Sequence, residues 1–274
     1  MDESVRALGK HFVVEMIGCN QGPISDYSRV QDILLESAKI AKANIILYDF
    51  KPVKQGKSTG VSGGIVISES HFLAHTWPEQ GYAAVDIYTC GETMNEEAAI
   101  DHIRESFKVS PDNMKLSKLE RGLLEEGSNG SGCLLTREYD TSFKPGKQDI
   151  ANRHYIIDLY RCDTDKISKV ETAAPALLYA ARQAGPKLFG KGNLIINRGH
   201  NFTPSGMSVL VVAPGADITI HTWPEHNYAA VDLFIPYNSR KGERAIKSLQ
   251  DAFGSKKVIA RELLRGNYHS NRLL

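Results

Sequence analysis

The segment His75-Thr76-Trp77-Pro78-Glu79 returns as His221-Thr222-Trp223-Pro224-Glu225, and both copies run on into Tyr-Ala-Ala-Val-Asp, at Tyr82 to Asp86 and Tyr228 to Asp232. Identity at a fixed offset, 146 residues from His75 to His221, marks two related structural units, each of which must bury the same pattern. The same offset sets Ser62 against Ser208. Looser matches extend the series: Lys10 to Glu15 resembles Arg153 to Asp158, and Leu119 to Gly122 parallels Leu263 to Gly266. The chain therefore divides into halves at 1–124 and 150–274. Residues 125–149 lie between them, and Glu125 to Gly132 has the small, polar composition of a linker.

Each half repeats one order of elements. In the first, an alternating strand is followed by a helix over Tyr27 to Ala43, where Val30, Ile33, Leu34, Ala38, Ile40 and Ala41 fall at helical spacing. Strand-like runs follow at Asn44 to Tyr48, Gly64 to Ser68, Phe72 to Thr76 and Ala83 to Thr89. A helix over Glu96 to Phe107 and a strand near Met114 to Leu119 close the unit. Helices near Val170 to Ala184 and Lys241 to Phe253 are their counterparts. Two β-α-β-β-β-α-β halves predict an α+β fold, each half an antiparallel or mixed sheet with helices on one face. Together they would form a pseudo-dimeric α/β sandwich. Lys51, Lys54 and Lys57 read as a solvated basic loop, and His11 and His154 as structural residues on the opening strands.

Charge narrows the function classes. Lys and Arg number 33 against 32 Asp and Glu, so no net field draws the chain to nucleic acid or an anionic membrane. A small-molecule substrate is the expectation. The apolar stretch Phe12 to Ile17 is short and broken by Glu15, unlike a signal peptide, and no run reaches membrane-spanning length. A cytoplasmic protein follows. The four cysteines, Cys19, Cys90, Cys133 and Cys162, have no CxxC spacing, so neither a zinc site nor a disulfide framework is expected.

Val61-Ser62-Gly63, Ile67-Ser68-Glu69-Ser70-His71, His75 to Glu79 and Thr89-Cys90-Gly91 resemble the bacterial S-adenosylmethionine decarboxylases. The likeness covers the first half and, more weakly, the second. It implies that Ser70, after Glu69, becomes a covalent pyruvoyl group, so that no external cofactor is needed, and that Cys90 is the acid that protonates the product carbanion. The chemistry is coherent on physical grounds. Decarboxylating an amino acid requires an electron sink that no standard side chain provides. A serine that attacks the preceding carbonyl can become dehydroalanine and then a ketone, given a base for its α-proton and a donor for the oxyanion. His75 or His221 can be the base, and Ser62 or Ser208 the donor.

The second half is degenerate at the processing positions: Gly215, Ala216 and Pro236 stand opposite Glu69, Ser70 and Cys90. It keeps Ser208, His221, Trp223 and Glu225, and its loop Asn201 to Ser208 resembles the family segment that carries an adenine-stacking phenylalanine, here Phe202. The first half has no aromatic residue between Lys51 and Gly60. Such complementary loss predicts one live site, with Glu69, Ser70 and Cys90 from the first half and Phe202, Ser208, His221, Trp223 and Glu225 from the second. Ser62, His75 and Glu79 would face the decayed site, with His75 as the alternative base. Phe202 and Trp223 would sandwich adenine, and Glu225 would bind ribose hydroxyls. Relatives that act on ornithine or arginine give a second reading, and a regulatory pseudoenzyme a third. A self-sufficient monomer and a homodimer paired through sheet edges both remain open.

Overall fold

The computed structural model describes residues 7–55, 58–68, 70–91, 93–123, 132–138, 152–185, 193–198, 206–239 and 241–266. The first half runs β1 (Gly9–Ile17), α1 (Gln21–Ser25), α2 (Tyr27–Ile40), β2 (Ile45–Gln55), β3 (Ser58–Ile67), β4 (Ser70–Trp77), β5 (Tyr82–Thr89), α3 (Glu96–Ser106) and β6 (Met114–Arg121). After β7 (Gly132–Arg137) the order repeats as β8 (Asn152–Tyr160), α4 (Thr164–Ile167), α5 (Val170–Ala184), β9 (Asn193–Arg198), β10 (Met207–Ala213), β11 (Ala216–Trp223), β12 (Tyr228–Pro236), α6 (Gly242–Phe253) and β13 (Lys257–Arg265).

The first sheet has strand order β2-β3-β4-β5-β1-β6 and is antiparallel throughout. The second has order β7-β13-β8-β12-β11-β10-β9, antiparallel except where β7 lies parallel to β13. Helices cover one face of each sheet. Val30, Leu34, Ile100 and Ile103 pack on Val14 and Val85 in the first half, and Leu177, Ile246 and Leu249 on Ile157 and Val231 in the second. The other faces meet each other: Val66 and Leu73 pack on Leu210 and Val212, Trp77 and Tyr82 on Phe234, and Tyr88 on Tyr228. Central strands are thus covered on both sides, and every residue of β4 and β5 is buried. Continuous rather than alternating burial is the consequence, as in other doubly covered sheets.

Local chemistry fixes the helix starts. Asp26 accepts a hydrogen bond from Arg29 N (3.1 Å) at the head of α2, and Asn95 does the same for Ala98 N (3.1 Å) at α3. Glu96 and Glu97 in the first turn of α3 and Arg104 in its last suit the helix dipole.

Four expectations are corrected. Each half places four strands, not three, between its long helices. The stretch 125–149 is not all connector, because residues 132–137 pair with β13. Lys51 and Lys54 belong to β2 rather than a loop, and Lys51 Nζ lies 3.0 Å from Asp49 Oδ2. β3 starts well before Gly64. Its glycines permit close approach: a Cβ at Gly63 would stand 2.6 Å from Phe50 Cα, and one at Gly64 2.8 Å from the Phe72 carbonyl oxygen.

Candidate active site

Ser70 opens β4 with φ at +146°, a region that costs an L-residue on the order of 1–3 kcal/mol. Its Oγ is buried and has no hydrogen-bond partner among the described residues, which adds a penalty of similar size, roughly 1–3 kcal/mol. Both costs fall on a single serine, raising its ground state relative to any product that relieves them. Ser70 pairs with Thr89 of β5, so that Cys90, half-buried, follows immediately across the ladder. Glu69 lies outside the described residues.

Next along β4, the His71 side chain reaches the other half: its Nδ1 lies 2.7 Å from His221 Nε2, and the rings stack with centroids 5.0 Å apart. His221 Nδ1 is 2.8 Å from Ser208 Oγ, its register partner on β10. Burial lowers the His71 pKa to about 4 and drives that of His221 well below the ordinary imidazole range, with His71 reinforcing the effect on His221. Both rings are therefore neutral at pH 7. Tyr88 packs edge-on to His221 at 5.4 Å, and Trp223, half-buried, packs on Tyr228 at 5.3 Å.

A second, pseudo-equivalent cluster joins β3 and β4 to β11. His75 Nδ1 lies 2.9 Å from Ser62 Oγ, and His75 Nε2 2.5 Å from Asp217 Oδ2. The Gly215 amide donates to Ser62 Oγ at 3.0 Å. Phe234 stacks flat on His75, with ring centroids 4.4 Å apart, where Tyr88 stands in the first cluster.

Between the clusters runs a buried ionic lattice. Arg121 donates to Asp158 (2.8 Å), Asp232 (2.9 Å) and the carbonyls of Ile157 and Val231. Its counterpart Arg265 donates to Asp86 (2.8 and 3.1 Å), to Glu15 and to the carbonyls of Val14 and Val85. Donor atoms of His11, Asp86 and His154 lie within 4.8 Å of one another, close enough for a cation. The Arg121 and Arg265 guanidinium groups, at 3.2 Å from His11 Nδ1 and 3.1 Å from His154 Nδ1, already supply the positive charge there.

The structure links Ser70, and Cys90 on the neighbouring strand, to His221 and Ser208 through His71, and sets Ser62 and His75 against β11. Glu225 and Glu79 are exposed on the short helical turns Pro224–His226 and Pro78–Gln80. Phe202 lies outside the described residues. Sequence reasoning passed over His71, Asp217, Tyr88 and the two arginines. The 146-residue offset was the signal that could have found the first three, since it pairs His71 with Asp217 and Tyr88 with Phe234.

Fold and site together define a duplicated α+β protein whose halves pack face to face and frame two related but unequal clusters. The chain belongs to the S-adenosylmethionine decarboxylase family, whose model matches residues 10–122 and again residues 153–266. Among similar proteins, the S-adenosylmethionine decarboxylase proenzyme of Pyrococcus furiosus is 41% identical over 134 residues, covering 48% of this chain and 91% of that one. The proenzyme of the same name from Syntrophomonas wolfei is 41% identical over 125 residues, covering 44% of this chain and 93% of that one. A crystal structure of the adenosylmethionine decarboxylase from Aquifex aeolicus matches with a TM-score of 0.39 and 30% identity, covering 46% of this chain and 99% of that one. Among the described residues no helix is long and apolar enough to cross a membrane.

Proposed function

We propose that this chain is a self-cleaving, pyruvoyl-dependent decarboxylase of S-adenosylmethionine, a cytoplasmic supplier of the aminopropyl donor for polyamine synthesis. The observation that carries the reading is the strained, unpartnered Ser70, whose chain neighbour His71 meets a neutral His221 contributed by the other half. Ser70 Oγ attacks the Glu69 carbonyl carbon, the peptide C–N bond breaks, and the hydroxyl proton passes to the nitrogen, leaving an ester. His221 then takes the Ser70 α-proton. That electron pair forms the Cα–Cβ double bond as Cβ–O breaks, and Glu69 departs as a carboxylate. The dehydroalanine tautomerises to an imine, and water displaces its nitrogen as ammonia to give the pyruvoyl terminus.

The ketone supplies the electron sink that decarboxylation needs. Cys90, at the end of β5 beside Ser70, holds the proton for the product carbon, as in the family. Ser208 polarises the ester-forming oxyanion or orients His221 through Nδ1. Phe202, Trp223 and Glu225 bind the nucleoside. Ser62, His75 and Glu79 belong to a cluster that cannot process, because Ala216 stands in the serine position. Both contributions to the live site come from one chain, so turnover needs no second copy.

Intact mass spectrometry of freshly purified protein tests the reading. Wild type should split into fragments 1–69 and 70–274, the latter lacking a free amino terminus, while Ser70→Ala stays whole. The split protein should release carbon dioxide from S-adenosylmethionine in preference to ornithine or arginine. A wild-type chain still at 30.3 kDa after long incubation would overturn it.

A further inference from the structure

The two clusters share their first two members. Ser62 and His75 are register partners across β3 and β4, Ser208 and His221 across β10 and β11, and the Ser–His distances are 2.9 and 2.8 Å. They differ in the third: His71 meets His221, while Asp217, at the equivalent position of the other half, meets His75. Resting on the decarboxylase reading above, we infer that His71 is a positioning residue for self-cleavage: it keeps His221 Nε2 free of hydrogen and aimed at β4 beside Ser70, a state that Asp217 denies to His75.

Hydrogen-bond bookkeeping supports this. A carboxylate accepts and does not donate, so the His75 nitrogen facing Asp217 carries the hydrogen. Ser62 Oγ already accepts from the Gly215 amide, which leaves its own hydrogen for His75 Nδ1. The His75 nitrogen that faces β11 then carries a hydrogen and cannot take a proton from that strand, while Nδ1 is turned to Ser62. In the other cluster either imidazole can donate. His71 Nε2 is buried without a partner among the described residues. A bare lone pair there is less costly than an orphaned N–H. That selects the tautomer of His71 with hydrogen on Nδ1, pointing at His221 Nε2. His221 Nδ1–H then donates to Ser208 Oγ, and Nε2, whose lone pair holds the His71 Nδ1–H, takes the Ser70 α-proton once that bond opens.

The charged and titratable groups around this pair are spread over both sheets. His11 (β1), Tyr88 (β5) and Arg121 (β6) face it from the first half, and His154 (β8), Asp217 (β11) and Asp232 (β12) from the second. No carboxylate among the described residues bonds His221, which separates it from His75.

The test measures the rate of self-cleavage of the full chain by intact mass between pH 5 and 9, for wild type, His71→Asn, His71→Leu and His71→Asp. Asn offers an N–H near the position of Nδ1 and should cleave within about tenfold of wild type, with an unshifted pH profile. Leu removes the donor and Asp recreates the second cluster. Both should slow cleavage by about a hundredfold or more, the scale of a mispositioned general base. The rising limb of the Asp profile should also move to higher pH, because a carboxylate favours the protonated neighbour. If His71→Asp does not fold, the contrast between Asn and Leu decides: equal rates for these two overturn the inference. So does a folded His71→Asp chain with wild-type rate and profile. A wild-type chain that never cleaves overturns the decarboxylase reading itself, and this inference with it.

Discussion

Arg121→Met should be among the most damaging single changes to stability. The side chain is 1% exposed, and its guanidinium neutralises Asp158 and Asp232 while bonding two carbonyls from the opposite half. Methionine fills much of the volume but leaves two buried carboxylates without their cation. Breaking a buried pair in this way costs about 3–5 kcal/mol, against a typical total of roughly 5–15 kcal/mol. With a urea slope of about 3 kcal/mol per molar for a chain of this size, the midpoint should fall by about 1–2 M. Adding Asp232→Asn should restore part of the loss, since the cost lies in the orphaned charge. Lys39→Met is the control: its pairing with Glu36 is exposed at 66% and 54%, and such pairs contribute about 0–1 kcal/mol. An Arg121→Met shift no larger than that of Lys39→Met, or no recovery in the double variant, would refute the reasoning.

Two further outcomes follow from the same geometry. The folded-state pKa of His71, about 4, lies below the ordinary imidazole value, so between pH 6.5 and 4 the unfolded chain binds a proton that the folded chain excludes. The associated stability is complete above about pH 6.5 and diminishes as the pH falls, by about 2 kcal/mol at pH 5, with His11 and His221 acting in the same direction. Urea midpoints at pH 8 and 5 should show this, and His71→Asn should flatten the slope; an unchanged slope speaks against it. A Cβ on Gly60 or on Gly206 would stand 2.1 Å from the carbonyl oxygen of Thr76 or Thr222. Either alanine should therefore cost about 1–3 kcal/mol and slow self-cleavage in a mass assay, Gly60→Ala through the strand that carries Ser70 and His71 and Gly206→Ala through the strand that carries His221.

The sequence determined the duplication, the element order and the faces that each half buries against its helices. These are properties carried along the chain: identity at a fixed offset, and apolar spacing that matches one helix or strand at a time. It understated β2 and β3 and passed over β7, because lysine, glycine and serine read locally as loop while the ladders that hold them form with distant strands. It pointed to Ser70, Cys90 and the two histidines through motif and complementary loss. Which histidine meets which strand was decided only by face-to-face packing of the sheets. That packing joins His71 to His221 and His75 to Asp217 across more than a hundred residues, and it encloses Arg121 and Arg265 with carboxylates from the opposite half. A side chain on the second face of a strand gains its protonation state from whatever is pressed against it, and no local pattern in the chain records that partner.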